Sequence, residues 1–374
     1  MKVHITLVGG QPAPVYNGIV ATQPDKVIYI YSKTSKEKLN RLLRVVHTKE
    51  YSSEILDETD PEKILTLAKQ LAESYKNDEV TLNISSGLKS WSFLFGIVFH
   101  QYPNASVVYM DQNNILWNYR TMTASEDFTF DMKINFELSN NPLEYYTPFS
   151  DYTDADTAVL PTIEAARKYN QEAFKHLTQV LTKNQQKLIK DNPQSGISTD
   201  YGNTSWKRNE FVKLCFRDGK KGPAEFIIES PHCVDLVFNS GWFEYKVAKM
   251  LSKWPKAKEI VMNCKFPPKK GNEEFPKNEI DVIVNTGSKL LFVECKTGVS
   301  DSLAIDKFKN AVRNYGGSAS KALFFTENLM SQTQLEKCRE SGITSFSLKR
   351  YPDEEVAMKE LFALLDRNLT LINA

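Results

Sequence analysis

The chain has few cysteines, no long apolar run and almost no net charge, and each shortage closes off a class of protein. Its five cysteines (Cys215, Cys233, Cys264, Cys295 and Cys338) are odd in number and contain no Cys-x-x-Cys pair. That spacing argues against a disulfide framework or a zinc knuckle. The longest apolar run, residues 91–99, is too short to span a bilayer. The first residues lead straight into a strand-like run, with neither the apolar core nor the small-residue cleavage site of a signal peptide. A cytoplasmic protein with no membrane partner is the expectation. A net charge of +1 gives no global nucleic-acid signature, so any such contact has to come from local patches. No loop carries a dinucleotide fingerprint or a Walker lysine, the five histidines have no paired spacing, and there is no internal repeat.

What is present is ordinary globular composition, 41% hydrophobic and 25% charged, over 374 residues, enough for two domains. The first part alternates strands (residues 2–8, 26–31, 79–84, 105–111) with helices (35–46, 60–75, 89–101). This predicts a mostly parallel α/β sheet covered on both faces. Ser35 is a plausible N-cap and Pro61 fits a first helical turn. Residues 140–156 carry two prolines and no periodicity and read as a linker. Residues 161–191 read as a connecting helix or helix pair, and 191–203 as a loop. The last third reads as a helix (235–253) broken near Gly241, three strands (257–265, 279–284, 289–296), and then alternating helices and strands to the end. The implied division is residues 1–140, a connecting region 141–234, and a second α/β domain at 235–374.

The most informative stretch is residues 279–297. An apolar run holding Asp281 and a second run ending in Glu294-Cys295-Lys296 are separated by a short turn at residues 285–288. Paired as a hairpin, the two strands bring Asp281 and Glu294 to one sheet edge, and strand alternation puts Glu294 and Lys296 on one face. Two carboxylates and the Cys295 backbone carbonyl are oxygen donors of the kind Mn²⁺ or Mg²⁺ takes. Lys296 can orient water or offset charge on a phosphate under attack. Glu244, on the helix before these strands with Trp242 and Tyr245 facing the core, is a candidate third carboxylate. The alternative is a surface hairpin with solvated ion pairs. Against it, both acids lie at the ends of apolar strands, where an idle charge is costly.

A second candidate site lies at the ends of strands one and four. Gly9, Gly10, Gln11 and Pro12 follow the first, and Ser85, Ser86, Gly87, Lys89 and Ser90 follow the fourth and open an apolar helix. Ligands of open parallel sheets bind beyond such strand ends, and glycines with a helix start admit an anion to free N–H groups. Tight turns with serine caps explain either loop taken alone. Two basic segments, Lys265 with Lys269, Lys270 and Lys277, and Arg217 with Lys220 and Lys221, are possible backbone contacts or plain solvated turns. Tyr315-Gly316 marks either a substrate contact or a helix C-cap.

The order helix, three strands, helix, strand with Glu244, Asp281, Glu294 and Lys296 resembles the PD-(D/E)xK nuclease superfamily, with Ile280 where a proline usually precedes the aspartate. The loops at 9–12 and 85–90 look like those of the CARF domain, a Rossmann-like sensor of cyclic oligoadenylates in type III CRISPR defence. The whole chain resembles CRISPR ancillary nucleases that join one CARF domain (1–140) to one restriction-endonuclease-like α/β domain (235–374). The resemblance implies an antiviral-defence endonuclease, a homodimer, with cyclic tetra-adenylate as allosteric activator bound by the nine loop residues. It implies Mn²⁺ or Mg²⁺ at Asp281, Glu294 and the Cys295 carbonyl, and single-stranded RNA or DNA, or nicked duplex, as substrate. An ungated restriction or repair nuclease, and a nucleotide-sensing regulator with an inactive nuclease fold, are the alternatives.

Overall fold

The computed structural model describes residues 1–56, 59–125, 131–180, 182–217, 222–267, 279–299, 302–316 and 320–370. The N-terminal part runs β1 (Lys2–Val8), α1 (Ala13–Thr22), β2 (Lys26–Tyr31), α2 (Lys36–Val45), β3 (Glu50–Ile55), α3 (Pro61–Ser74), β4 (Glu79–Asn83), α4 (Lys89–His100), β5 (Ala105–Met110), β6 (Leu116–Asn118) and β7 (Thr123–Ser125). Its sheet has the order β3-β2-β1-β4-β5-β6-β7. The first five strands are parallel, and β6 and β7 add antiparallel. Because β1 pairs with both β2 and β4, the winding reverses there, and the loops leaving these two strands splay apart into a crevice. β1 is buried from Val3 to Val8 because both faces are covered. Ile5 and Leu7 pack with Ile64 of α3 and Trp91 of α4, while Val8 packs with Val15 of α1 and Leu39 of α2. This is a mixed α/β, Rossmann-like sheet.

The edge strand β3 escapes the sequence pattern. It is Glu-Tyr-Ser-Ser-Glu-Ile, largely exposed, and pairs with β2 through its backbone, a Lys26–Glu50 ion pair and the Tyr29 and Tyr51 rings. Asp60 caps α3 by accepting from the amides of Glu62 (3.1 Å) and Lys63 (3.3 Å), with Pro61 in the first turn as expected. Ser35 does not cap α2 with its side chain; its hydroxyl instead accepts from the Ser32 amide of the preceding turn at 2.9 Å.

The N-terminal part closes with α5 (Met132–Leu138), and the connecting part contains β8 (Tyr145–Pro148), α6 (Asp154–Ala158), α7 (Leu160–Tyr169), α8 (Gln171–Thr178), α9 (Lys183–Asp191) and strands β9 (Gln194–Thr199), β10 (Gly202–Lys207), β11 (Phe211–Phe216) and β12 (Ala224–Glu229). The C-terminal part continues with α10 (Cys233–Val237), α11 (Gly241–Ser252), β13 (Glu259–Lys265), β14 (Glu279–Asn285), β15 (Leu290–Lys296), α12 (Leu303–Tyr315), β16 (Lys321–Thr326), α13 (Gln332–Glu340), β17 (Thr344–Ser347) and α14 (Glu354–Thr370). Its sheet has the order β17-β16-β15-β14-β13-β8. β13, β14 and β15 form an antiparallel meander, extended in parallel by β16 and β17.

Two expectations for the connecting region are overturned. Residues 140–156 are not a bare linker: β8 is an edge strand antiparallel to β13, and its Pro148 is tolerated because an edge needs no donor on its open side. Residues 191–203 are not a loop but include β9 and the start of β10, within a four-stranded antiparallel sheet. The inward positions of β10 are Gly202, Thr204 and Trp206, so one tryptophan carries nearly all its apolar signal. Val159 and Ile163 of this region and Trp206 and Leu214 of its sheet share a core with α11 and the C-terminal strands. No described helix is long and apolar enough to cross a membrane, and all five cysteines are free.

Side-chain hydrogen bonds link α1 to the turn between β14 and β15, and α2 to α5. The Asn17 amide donates to Asn114 Oδ1 at 3.0 Å, and Asn114 Nδ2 donates to the Ser288 carbonyl at 2.5 Å. Arg41 donates to the Leu138 carbonyl at 2.8 Å.

His4, fully buried in β1, gives the fold a pH dependence. The Thr22 hydroxyl donates to the Gly18 carbonyl (2.9 Å), so it accepts from His4 Nδ1 (2.8 Å), leaving Nε2 buried with no partner among the described residues. Burial pushes the His4 pKa down to about 3. In the unfolded chain the imidazole takes a proton near pH 6.5, so its contribution is whole above that pH and is lost as pH falls toward 3. Urea unfolding at pH 7.0 and 5.5 should show a stability loss of roughly 1 kcal/mol from this group, and His4→Asn should remove that part of the pH dependence.

Candidate active site

The pairing of β14 with β15 runs from Asn285–Leu290 to Val282–Val293. One residue further, the Asp281 carboxylate accepts the Cys295 amide at 2.7 Å, so a side chain takes over where the backbone ladder ends. Glu294 and Lys296 alternate on β15 with Cys295 between them, whose thiol side packs in the core. The Lys296 ammonium lies 2.6 Å from Glu294 Oε1 and 3.5 Å from Asp281 Oδ2, and donates to the Cys295 carbonyl at 3.2 Å. The two acids therefore face one another across a single cation. Beyond Lys296 the chain is held by the Glu327 amide donating to the Lys296 carbonyl (3.0 Å) and by Asn328 Nδ2 donating to the Thr297 carbonyl (2.6 Å). Glu327 is in turn paired with Arg167 at 2.6 Å, whose guanidinium lies over Trp242. Sequence spacing gave no sign of these props, because they come from β16 and α7.

Glu244 reaches the neighbourhood on α11. Two consecutive left-handed residues, Asn239 (φ 53) and Ser240 (φ 68), break the backbone before it. At Gly241 a Cβ would stand 1.9 Å from the Asp235 carbonyl, which accounts for the expected helix break. Trp242 and Tyr245 face the core and Glu244 is half-buried. Among the described residues it forms no salt bridge with Lys296, but it feels the charge of Asp281, Lys296 and Glu294.

The electrostatics separate the groups. Burial pushes Glu294 up to about 7, the Asp281 charge adds to this, and Lys296 opposes it. Burial and the Asp281 charge hold Glu244 well above the usual carboxylate range. Burial favours the neutral amine of Lys296, yet Asp281 and Glu294 outweigh it and keep its pKa above that of a free lysine. The ammonium keeps its proton, so it acts as a charge and not as a base.

Among the described residues, no group of three or more His, Cys, Asp or Glu side chains is arranged to hold a metal ion. The donor set at β14 and β15 is two carboxylates and a carbonyl that already converge on one cation, the Lys296 ammonium. These all-oxygen donors fit Mg²⁺ or Mn²⁺, which keep several waters and take one or two carboxylates from the protein.

The crevice between β1 and β4 brings the two candidate loops into contact. The Gly9 amide donates to Ser86 Oγ at 3.1 Å. A Cβ on Gly9 would lie 2.4 Å from the Gly87 amide nitrogen, so no larger residue fits. Gly10, Gln11, Pro12 and Ser85 border a cavity of about 540 Å³ that Tyr109 and Arg41 also line and that reaches Leu290 and Tyr315 of the C-terminal part. Ser85, Ser86, Gly87 and Lys89 border a second, more open cavity of about 970 Å³ along α4. Gly9 and Ser90 line neither of these two cavities. Ser85 is fixed by donating to Asn83 and accepting the Met110 amide. Tyr315 lies on the cavity at the ends of β1 and β4, stacked on Phe266, and not beside the carboxylates. Gly316 closes α12 with an ordinary right-handed backbone. Lys269, Lys270, Lys277, Lys220 and Lys221 lie outside the described residues; Lys265 pairs with Glu279 at 3.3 Å.

Residues 3–138 match the family described as the Card1 CARF domain, so the N-terminal part is a CARF domain. No curated protein sequence matches the chain. The fold is similar to that of Can2 from Sulfobacillus thermosulfidooxidans, solved in complex with cyclic tetra-adenylate, with a TM-score of 0.62 and 15% identity over 100% of both chains. It is similar to protein VC1899 from Vibrio cholerae, with a TM-score of 0.66 and 15% identity over 98% of both chains. A type III CRISPR defence DNA nuclease activated by cyclic oligoadenylate aligns over 96% of this chain but 51% of its own, with a TM-score of 0.56 and 17% identity. At these identities the likeness is one of fold.

The shared cation makes one electrostatic consequence measurable. Removing the Asp281 charge should lower the Glu294 pKa from about 7 toward the ordinary carboxylate range. A carboxyl ¹³C titration of Asp281→Asn, with the Glu294 resonance assigned through Glu294→Gln, checks this. An unmoved Glu294 midpoint would mean that the two acids do not sense each other.

Proposed function

We propose that the chain is a cyclic oligoadenylate-activated, metal-dependent endonuclease of type III CRISPR defence. In this reading residues 1–140 are the sensor, 141–234 connect, and 235–374 form a restriction-endonuclease-like domain. The observation that carries it is the convergence of Asp281 and Glu294 on the Lys296 ammonium at the point where two strands part, in a chain whose N-terminal part is a CARF domain. Asp281, Glu294 and the Cys295 carbonyl would hold Mn²⁺ or Mg²⁺, with Glu244 assisting from α11. When bound, such an ion supplies Lewis acidity toward a phosphate and an acidified water. Lys296 stays protonated and offsets the charge that builds on the phosphate oxygens during in-line attack. Lys296, beside Glu294 on the same strand face, is also placed to orient the attacking water. Single-stranded RNA or DNA is the substrate class, with nicking of duplex DNA a further activity.

Cyclic tetra-adenylate is the activator in this reading. The touching loops at 9–12 and 85–90, with Lys89 opening α4, would receive its phosphates. A ring with internal symmetry suits two copies of one pocket, hence a homodimer. The exposed Phe93 and Ile97 on one face of α4, with Trp117 and Tyr119 nearby in the sheet, offer an apolar surface for it. Coupling to the second domain has a physical route. α1 starts directly after the 9–12 loop, and its Asn17 reaches Ser288 through Asn114. Ser288 is in the turn that joins the two strands carrying the acids.

Glu294→Ala should reduce Mn²⁺-supported cleavage of labelled single strands by a factor on the order of 10² or more while cyclic tetra-adenylate binding, measured by calorimetry, stays as in the wild type. Retained cleavage would sink the site. Asn114 has φ 59, so Asn114→Gly keeps the backbone and deletes only the side-chain relay. Activated cleavage should then fall severalfold with activator affinity nearly unchanged; equal activation in both proteins would show that the relay is not the coupling route.

A further inference from the structure

A cavity of about 320 Å³ adjoins the carboxylate site. It is bounded by Glu294 and Lys296 of β15, by Gly298 and Val299 of the following turn, and by Leu303, Ala304 and Lys307 of α12. Leu303 and Lys307 are four residues apart and share a helix face, while Ile305 and Phe308 anchor the other face in the core. The turn is pinned at both ends: Asn328 Nδ2 donates to the Thr297 carbonyl and Gln334 Nε2 to the Val299 carbonyl at 3.1 Å. The acid next to Lys307 is already engaged, since Asp306 pairs with Lys337 at 2.5 Å. Leu303 stays 54% exposed at the cavity border. One cavity thus combines an ammonium beside the acids, an apolar border and a second ammonium from the helix.

We propose that this cavity is a nucleotide subsite for the substrate strand, with Lys307 holding the phosphate next to the scissile one and Leu303 and Val299 packing on the nucleotide between. The inference rests on the nuclease reading above. Its volume is at the low end of ligand pockets, enough for a single nucleotide unit. A strand carries one charge per nucleotide, so a second cation along the same cavity matches its backbone. Lys307 is a binding residue here and not a catalytic one.

The test uses fluorescence anisotropy of a labelled single-stranded oligonucleotide with full-length protein, cyclic tetra-adenylate and Ca²⁺, across a salt series. Lys307→Gln should weaken binding severalfold at low salt and make the slope of log affinity against log salt shallower by about 0.7. Lys307→Arg should restore the slope, and Leu303→Ser should weaken binding without changing it. In cleavage assays with Mn²⁺ the loss from Lys307→Gln should fall on KM. Wild-type slope and affinity in Lys307→Gln would overturn the subsite while leaving the nuclease reading intact. A wild-type protein that neither binds nor cleaves any strand would sink both.

Discussion

One ammonium held between two carboxylates sets the character of the C-terminal domain. Lys296 sits against Glu294 and Asp281 at the line where β14 and β15 stop pairing. Two acids this close would repel, and burial pushes Glu294 toward its neutral form. The lysine supplies the opposing charge that lets them approach. Everything nearby serves that geometry. Asp281 replaces a missing ladder bond by accepting the Cys295 amide, and Glu327 and Asn328 fix the strand beyond Lys296. Gly241 allows α11 to start close enough for Glu244 to feel the same field. The arrangement is held at electrostatic tension, which a divalent cation among the oxygens would relieve and a simple surface ion pair would not need.

The legible parts of this molecule are those where local periodicity and tertiary burial agree. β1, β14 and β15 are largely buried on both faces because helices cover both sides of their sheets, so their runs and their ends could be read directly. The convergence of Asp281, Glu294 and Lys296 follows from strand alternation and a short turn, both local properties. The illegible parts are edges and thin signals. β3 is polar because one side of it is free, β8 ends in a proline that an edge tolerates, and β10 turns inward a glycine, a threonine and a tryptophan. Residues 141–234 looked like a connector for that reason, although Trp206, Leu214 and Ile163 share a core with α11. The props on Lys296 and the helical border at Lys307 were illegible for another cause: they are contacts between elements far apart in sequence, and no spacing rule reaches them.

The crevice between β1 and β4 shows the same division. Topology places the loops after β1 and β4 side by side, since the sheet winds both ways from that point. The glycine at position 9 is demanded by the backbone of Gly87. The loop residues then distribute over two cavities, one along α4 and one that runs toward Leu290 and Tyr315. The second cavity matters because its far wall belongs to the C-terminal domain. A ligand at the strand ends is therefore one side chain away from the hairpin that bears the acids.

That adjacency constrains how any gating can work. A ligand shifts an equilibrium only by its difference in affinity between two states. Here the parts that would sense it are α1, which begins at Ala13, and the β5–β6 turn, where Asn114 is held in a left-handed backbone. Asn114 is bonded on one side to Asn17 and on the other to the Ser288 carbonyl. A movement of α1 by a fraction of an ångström must either break one of these bonds or carry the 285–288 turn with it. The turn is rigid, closed by Thr286 and Lys289 and by the Gly287 amide on Asn285. Carrying the turn shifts β14 against β15, and the first place such a shift is felt is where their pairing already ends, at Asp281 and Glu294. If the chain is gated as proposed, a weakly paired strand end beside a hydrogen-bonded turn would convert a small displacement at one site into a change in carboxylate spacing at the other.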